Sequence, residues 1–419
     1  MIKLLIIADD FTGALDTGVQ FAKKGICTQI FTKQNLTKDD VKEETEVLVV
    51  DTESRPMPPK EAYNAVYQLA LWAARHKVPH IFKKTDSALR GNIGAELQAV
   101  LDARKDSRLY FLPGYPQIGR ITRDGVHYIS GELLENSAFG RDPFEPATKS
   151  YLPDIIGEQS NVPVTCIRRG ETLPSQRKEK DFIVCDLVET EDIDRRLDEL
   201  FQKENNSLLA GCAALADRLV ERIPFRRRTP GTYRKTERFY VACGSLNRIT
   251  EQQVVYAKEK AGFAGRHLAA RQKLDPAYYD TPEGRKFLEE ILQLCREKKK
   301  VVLDTFDEND ENEEKELYIK EHNISPEEVR FLIAAVHGRI VQEIANRRMD
   351  ATILMTGGDT LMGYMRNIGC TQLEPICEIE PGIAVSVLEW NGYRQQVISK
   401  SGGFGTEDIL EKIAQKILK

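Results

Sequence analysis

Short apolar runs that stop at a polar or glycine-rich cluster and give way to a helical pattern recur along this chain. No other feature restricts its fold as much. Leu4–Ala8 runs into Asp9-Asp10 and then into a helical segment from Phe11 to Lys24, closed by Gly25. Val47–Val50 ends in Asp51-Thr-Glu-Ser-Arg55, and Pro58-Pro59 opens a helix of about 18 residues, because proline suits a first helical turn. Ile81–Lys83 leads into Lys84-Thr-Asp-Ser-Ala-Leu-Arg-Gly-Asn92 and a helix to Arg104, and Leu109–Leu112 leads into Pro113-Gly-Tyr-Pro116. Phe182–Cys185 and Leu208–Ala210 repeat the unit. Strands alternating with helices predict a parallel, doubly wound sheet. The polar clusters then lie at its carboxyl edge, where open α/β sheets bind ligands.

The pattern breaks at Arg226-Arg-Arg-Thr-Pro-Gly-Thr232, whose charge, proline and glycine predict an exposed linker. A second α/β unit follows. Its strands are Phe239–Ala242, Val301–Asp304 and Ile353–Met355, with a long amphipathic helix over Glu327–Arg347. The acid-dense Asp307–Glu316 reads as a solvated loop or helix start rather than a metal site. Ala384–Trp390 and Arg394–Lys400 flank Asn391-Gly392, a strong hairpin signal that adds antiparallel strands. The expected fold class is therefore α/β with two domains. Residues 1–225 form a doubly wound, mostly parallel sheet, 226–236 the linker, and 237–419 an α/β nucleotide-binding domain with a mixed sheet.

Composition sets the function classes. The 419 residues are 41% hydrophobic and 30% charged, with a net charge of −5, which suits globular domains and argues against a broad nucleic-acid or anionic-membrane surface. Apolar runs fall short of the roughly 18 residues a membrane span needs. The apolar N-terminal run is too short for a signal peptide. The expected location is the cytoplasm. The eight cysteines form no C-x-x-C pair and the histidines no H-E-x-x-H, so no metal site is expected.

Gly244-Ser245, Gly357-Gly358 and Gly402-Gly403 each follow a strand and precede a helix. Such turns let main-chain N–H groups approach a phosphate at the positive end of a helix; they also occur for steric reasons alone. There is no G-x-x-x-x-G-K-[ST], no H-R-D and D-F-G set, and no G-x-G-x-x-G after the first strand. The first half offers the opposite chemistry: Asp9, Asp10, Thr12, Ser54, Arg55, Lys84, Asp86, Arg90, Asn92 and Arg120. Carboxylates and amides suit sugar hydroxyls, while lysine and arginine suit a carboxylate or a phosphoryl group. Structural roles compete with each of these. Asp10 could cap the first helix, Asp86 or Ser87 the helix after Gly91, and Arg90 could simply pair with Asp86. Lys83 is expected to point away from Lys84, since neighbours in extended chain alternate faces.

Taken together the motifs resemble the four-carbon acid sugar kinases, a family first defined as a domain of unknown function. The matching pieces are Ile7-Ala-Asp-Asp-Phe-Thr-Gly-Ala14 with Asp16-Thr-Gly18, Lys83-Lys-Thr-Asp-Ser-Ala-Leu-Arg-Gly-Asn92, and Pro113-Gly-Tyr-Pro116 with Gly119-Arg-Ile-Thr-Arg-Asp-Gly125. Gly244-Ser245, Thr356-Gly-Gly-Asp-Thr360, and Lys400-Ser-Gly-Gly-Phe-Gly405 with Glu407-Asp408 complete the set. The family pattern more usually has serine in place of Asn247, and Ser-Thr in place of Ser87-Ala88. Residues 144–181 carry no matching motif.

The resemblance implies an acid-sugar domain followed by an ATP domain. It implies transfer of the γ-phosphoryl group to a terminal hydroxyl of threonate, erythronate or a 3-oxo acid. ATP is expected at Ser245, Gly357, Gly358, Asp359, Thr360, Gly402 and Gly403, with Mg²⁺ on the triphosphate and Asp359 as a candidate ligand. The acid is expected near Asp9, Asp10, Thr12, Arg55, Lys84, Asp86, Arg90, Asn92 and Arg120, the two sets of loops facing each other across a cleft. Asp10, or failing that Asp86, is the candidate base, and Arg90 and Lys84 are candidates to hold the carboxylate or the transferring group. Expected partners are the sugar acid and ATP, with neither nucleic acid nor membrane; the oligomeric state is open, a homo-oligomer included. A non-catalytic sensor and a nicotinamide-dependent oxidoreductase are the rival classes.

Overall fold

The computed structural model describes residues 1–104, 108–142, 145–174, 180–203, 208–245, 247–306 and 309–419. The chain divides into two compact units, Met1–Pro230 and Gly231–Lys419. The division falls inside the segment read as a linker. Arg226–Arg228 are exposed as expected, but their main chain is fastened to the first unit. Arg226 N donates to Glu46 at 2.6 Å and Arg228 N to the Gly25 carbonyl at 2.8 Å.

Among the described residues the first unit contains eleven strands: β1 (Leu4–Ala8), β2 (Thr28–Phe31), β3 (Val47–Asp51), β4 (His80–Lys84), β5 (Arg108–Leu112), β6 (Arg120–Arg123), β7 (Val126–Ile129), β8 (Glu132–Leu133), β9 (Val164–Ile167), β10 (Asp181–Cys185) and β11 (Leu208–Gly211). Eight form one sheet in the order β2-β3-β1-β4-β11-β5-β10-β9, with every pairing parallel. Its strands are apolar because helices cover both faces. Leu5, Ile7, Leu48, Val50, Ile81, Leu97 and Phe111 belong to one buried cluster. From β1 the chain passes to β2 and β3 on one side and then returns to β4 on the other. That reversal is a topological switch point, where a crevice opens at the strand ends. Strands β6, β7 and β8 form a separate antiparallel sheet, which the sequence reading did not foresee.

The second unit adds β12 (Arg238–Cys243), β13 (Ala264–His267), β14 (Lys300–Asp304), β15 (Ala351–Thr356), β16 (Gln372–Glu380), β17 (Ile383–Trp390) and β18 (Tyr393–Lys400). The order is β13-β14-β12-β15-β18-β17-β16, parallel from β13 to β18 and antiparallel from β18 to β16. Asn391-Gly392 makes the hairpin between β17 and β18, with Trp390 opposite Tyr393. The switch point lies between β12 and β15. The acid-dense stretch is largely helix, Asn309–Glu321; Asp307 and Glu308 lie outside the described residues. Among the described residues no helix is long and apolar enough to cross a membrane.

Candidate functional site

Asp9 and Asp10 leave β1 at the first switch point and part company at once. Asp9 is 2% exposed, and its Oδ2 accepts from Arg55 Nε at 2.8 Å. Its Oδ1 is buried and has no hydrogen-bond partner among the described residues. Burial pushes the Asp9 carboxyl up, but Arg55, then Lys84 and Lys83, outweigh it and hold it below the usual carboxylate range. Asp10 caps helix Phe11–Ala22, its Oδ1 accepting from Gly13 N at 2.9 Å. The same oxygen takes Arg55 Nη2 at 2.8 Å. The capping role weighed for Asp10 is therefore present, together with an ion pair the sequence did not announce.

The Lys84-Thr-Asp-Ser loop leaves β4, the other strand of the switch point. Lys84 and Lys83 project to opposite faces, as the alternation of extended chain requires. Lys83 is fully buried and pairs with Glu96 at 2.9 Å. Glu96 also accepts from Ser54 Oγ, and Ser54 shares a bond with Thr52 at 2.7 Å. Burial lifts the Glu96 carboxyl above its ordinary range despite Lys83. This buried network reaches the Arg55 loop through Ser54. It carries no local sequence signal, because Lys83, Ser54 and Glu96 come from three different elements.

Lys84 points to the face of helix Phe11–Ala22. A Cβ on Gly13 would lie 2.5 Å from Lys84 Nζ and 2.6 Å from Asp10 Oδ1, closer than real Cβ contacts come. Glycine at 13 therefore makes room for an ammonium beside the aspartates. Thr12 lies in the same first turn, partly exposed.

Asp86 accepts from Arg90 Nε at 2.6 Å, and Arg90 Nη1 reaches Asp142 at 2.9 Å. Burial works against the Asp86 carboxylate, but Arg55 and Arg90 hold it far below its ordinary value. The Asp86–Arg90 pair weighed as a structural alternative is thus present, and Asp142 is a third member missed by the sequence reading. Asn92 is fully engaged structurally: its Nδ2 donates to the carbonyls of Ser54 (2.9 Å), Arg55 (3.3 Å) and Met57 (2.7 Å), and its Oδ1 accepts from Gln159 at 3.2 Å. It shapes the Arg55 loop, and these bonds leave it little to offer a ligand.

Arg120 opens the small sheet and donates to Ser87 Oγ. His127, fully buried in β7, lies within 3.0 Å of the Ser87 carbonyl through Nε2 and of Thr122 Oγ1 through Nδ1. A carbonyl can only accept, so Nε2 carries the proton. Burial lowers this histidine to about 4. Phe139 lies under both arginines, its centroid 5.2 Å from the Arg90 guanidinium carbon and 4.7 Å from that of Arg120. Asp51 closes β3. Burial, together with Asp10, Glu53 and Asp9, raises it well above the carboxylate range, against one bond from Glu53 N.

The second switch point is built from main chain and hydroxyls. Ser245 N donates to Thr356 Oγ1 at 3.3 Å, and Thr360 Oγ1 to the Thr356 carbonyl at 2.8 Å. A Cβ on Gly244 would lie 2.5 Å from Thr360 Oγ1. Gly357 caps helix Gly358–Asn367 at φ +83°, and its N–H reaches the Lys400 carbonyl at 2.8 Å. Thr250 Oγ1 holds the Gly402 carbonyl at 2.7 Å. Lys400, 1% exposed, donates to the carbonyls of Ser401 (3.1 Å) and Gly402 (3.3 Å); burial lowers it to about 8.

Asn247 caps helix Arg248–Glu259 through Ile249 N at 2.9 Å. The three glycine turns, with Ser245 and Thr360, therefore gather at one edge. Asp359 is the exception. Its carboxylate is taken bidentately by Arg330 at 2.5 and 3.0 Å. One strand further, Asp304 is held by Lys258 at 2.6 Å and His267 at 3.0 Å, a cluster the sequence reading also missed.

Two family models match the chain: a sugar-binding N-terminal domain over residues 4–219 and a nucleotide-binding C-terminal domain over residues 240–410. Among curated relatives, it is 29% identical to a D-threonate kinase of Salmonella typhimurium, over 97% of this chain and 96% of that one. It is 26% identical to a D-erythronate kinase of Heliobacterium modesticaldum, over 97% and 95%. A 3-oxo-tetronate kinase of Escherichia coli is 32% identical over 38% of this chain and 42% of its own. In fold, the chain is similar to a Salmonella typhimurium protein provisionally described as a tRNA synthase (TM-score 0.81, 20% identity, all of both chains). It is also similar to a Haemophilus influenzae protein (TM-score 0.75, 19% identity, 99% and 100%).

Proposed function

This chain belongs to the four-carbon acid sugar kinase family, and we propose that it transfers the γ-phosphoryl group of ATP to a terminal hydroxyl of a four-carbon sugar acid such as threonate, erythronate or a 3-oxo acid. The observation that carries the reading is the likeness, along nearly the whole chain, to relatives named for D-threonate and D-erythronate kinase activity. The site chemistry supports it. One unit presents carboxylates and cations at its switch point, and the other presents glycine turns. Neither a sensor nor an oxidoreductase is favoured.

Phosphoryl transfer needs positioning and charge neutralisation more than covalent chemistry. Asp10 is the proposed base. Asp86 is the weaker proton acceptor, because its arginines stabilise the ionised form so strongly. The main chain at Ser245, Gly357–Thr360 and Gly402-Gly403 cradles the nucleotide.

Mg²⁺ enters with the triphosphate, since it takes most of its ligands from phosphate and water, and it would neutralise phosphate charge there. Among the described residues no group of three or more His, Cys, Asp or Glu could hold a metal, and Asp359 is committed to Arg330. The donor set among the described residues thus fits metal carried by the nucleotide. A cytoplasmic setting is part of the proposal, since ATP is supplied there.

An ADP-release screen over four-carbon acids and their oxo and branched relatives tests the reading. Turnover is expected on at least one member. No turnover on any of them, with the protein folded, would overturn it.

A further inference from the structure

The loop between β4 and helix Ile93–Arg104 carries a strained residue. Leu89 sits at φ +55°, in the left-handed region where a Cβ crowds the main chain. Such a conformation persists only where its surroundings impose it. Two local restraints contribute. Ala88 and Leu89 are buried in the apolar cluster of the first unit. Leu89 N donates to the Asp86 carbonyl at 3.0 Å, closing a turn over Asp86–Leu89. Ser87 and Ala88 are the central residues of that turn, and rotation of the peptide between them is what separates the common turn types. The turn's own bond leaves the Ser87 carbonyl to a partner from elsewhere in the chain.

That partner is His127, on β7 of the small sheet, whose Nε2 lies 3.0 Å from the Ser87 carbonyl. A neutral imidazole has one donor and one acceptor, and both are used. Nδ1 lies 3.0 Å from Thr122 Oγ1, so the Thr122 hydroxyl donates there and keeps the proton on Nε2. Thr122 and His127 face each other across β6 and β7, and both are fully buried. The ring is also anchored from outside the small sheet. Thr122 exchanges two main-chain bonds of 2.9 Å with Leu187, just beyond β10. The adjacent Asp186 accepts from Asp124 N at 2.7 Å and Gly125 N at 3.0 Å at the hairpin tip. His127 N donates to the Ser150 carbonyl at 2.8 Å. The small sheet is thus fastened beyond the end of β10, and one imidazole carries that fixed point to the Ser87 turn.

We propose that His127 is a positioning residue for phosphoryl transfer: its Nε2–H, with Thr122 setting the tautomer, locks the Ser87–Ala88 peptide and so holds Asp86 and Arg90 in register with each other. Where this acts rests on the kinase reading; what it holds does not. The Asp86 carboxylate accepts from both the main chain and the side chain of Arg90, at 3.4 and 2.6 Å. Both bonds depend on the path of the turn, so a turn that relaxes loosens the pair.

Amide hydrogen exchange at Leu89 and Arg90 would be followed in wild type, His127→Phe, His127→Gln and Thr122→Val, with the amides of β1 as the reference. Losing the bond to Ser87 should speed exchange at Leu89 roughly tenfold in His127→Phe, with β1 unchanged. Glutamine, whose amide can donate in place of Nε2, should return most of the protection. Thr122→Val keeps the shape and removes the donor to Nδ1, so it should act in the same direction and less strongly. On the acid found by ADP release, kcat/KM should fall roughly tenfold in His127→Phe and recover in His127→Gln, while KM for ATP holds.

Equal exchange at Leu89 in all four proteins would overturn the proposal. So would a rise shared by β1 that glutamine does not reverse, or faster exchange at Leu89 with kcat/KM for the acid unchanged. If His127→Phe does not fold, Thr122→Val decides by the same two readings. Selective loss of Leu89 protection in a protein that turns over no acid would sink the kinase reading and keep the hold of His127 on the loop. Turnover with both readings indifferent to these substitutions would do the reverse.

Discussion

The two switch points use one architecture for opposite chemistry. At the β1/β4 edge the proposed recognition groups are charged side chains: Asp9, Asp10, Arg55, Lys84, Asp86, Arg90 and Arg120. At the β12/β15 edge they are main-chain groups and hydroxyls, brought close by Gly244, Gly357 and Gly402. A small polyhydroxylated acid differs from its relatives by the placement of a few oxygens, and directional side chains can read that. A triphosphate is large and uniformly charged, so oriented N–H groups suffice. The first edge therefore invests in specificity and the second in approach.

The sharpest way to break this comparison is to remove the proposed base. Asp10→Asn should lower kcat roughly 10²–10⁴-fold with the fold intact, because asparagine caps a helix about as well as aspartate. Asp86→Asn is the paired measurement. If both variants keep near-normal kcat on the true substrate, neither aspartate takes the proton.

Next in size is the buried pair beneath the charged edge. Lys83→Met leaves Glu96 buried without its cation and should cost about 3–5 kcal/mol of unfolding free energy. A denaturant titration measures it. Lys83→Met combined with Glu96→Leu should recover most of the loss; a single variant as stable as wild type would show that the edge does not rest on this pair.

The glycine edge should respond to a methyl group. Gly244→Ala forces a Cβ against Thr360 Oγ1 and should raise KM for ATP roughly tenfold, about 1.4 kcal/mol, leaving KM for the acid alone. Asp359→Ala is the contrast. It breaks an exposed pair with Arg330 worth at most about 1 kcal/mol, so KM for ATP should hold. An unchanged KM for ATP in Gly244→Ala would remove the distinction between the two edges.

What could be read from the sequence was local. The strand ends, the hairpin at Asn391-Gly392 and the glycine turns each announce themselves within a few residues, because strand period and turn chemistry are short-range. The alternation of Lys83 and Lys84 was legible for the same reason. What escaped was pairing across elements. Nothing near Arg55 says that it will straddle Asp9 and Asp10, and nothing near Asp359 says that Arg330 will take it. Asp142 and Phe139 enter through a loop far from the motifs they complete. Asn92 looked like a ligand group and proved to be the clasp of the Arg55 loop, because an amide suits either task and only its neighbours decide. The small sheet was missed because its strands, Arg120–Arg123, Val126–Ile129 and Glu132–Leu133, are short and interrupted by polar residues, so they show no apolar run.

That small sheet enters the first unit as an insertion between β5 and β9. It carries Arg120 directly and leads into the Phe139–Asp142 loop, while Asp10 and Lys84 stay on the parallel frame. On the proposed reading Arg120 would reach the acid from this insertion and the base would stand on the parallel frame, so a change confined to the insertion would alter the contact with the acid and leave the base in place.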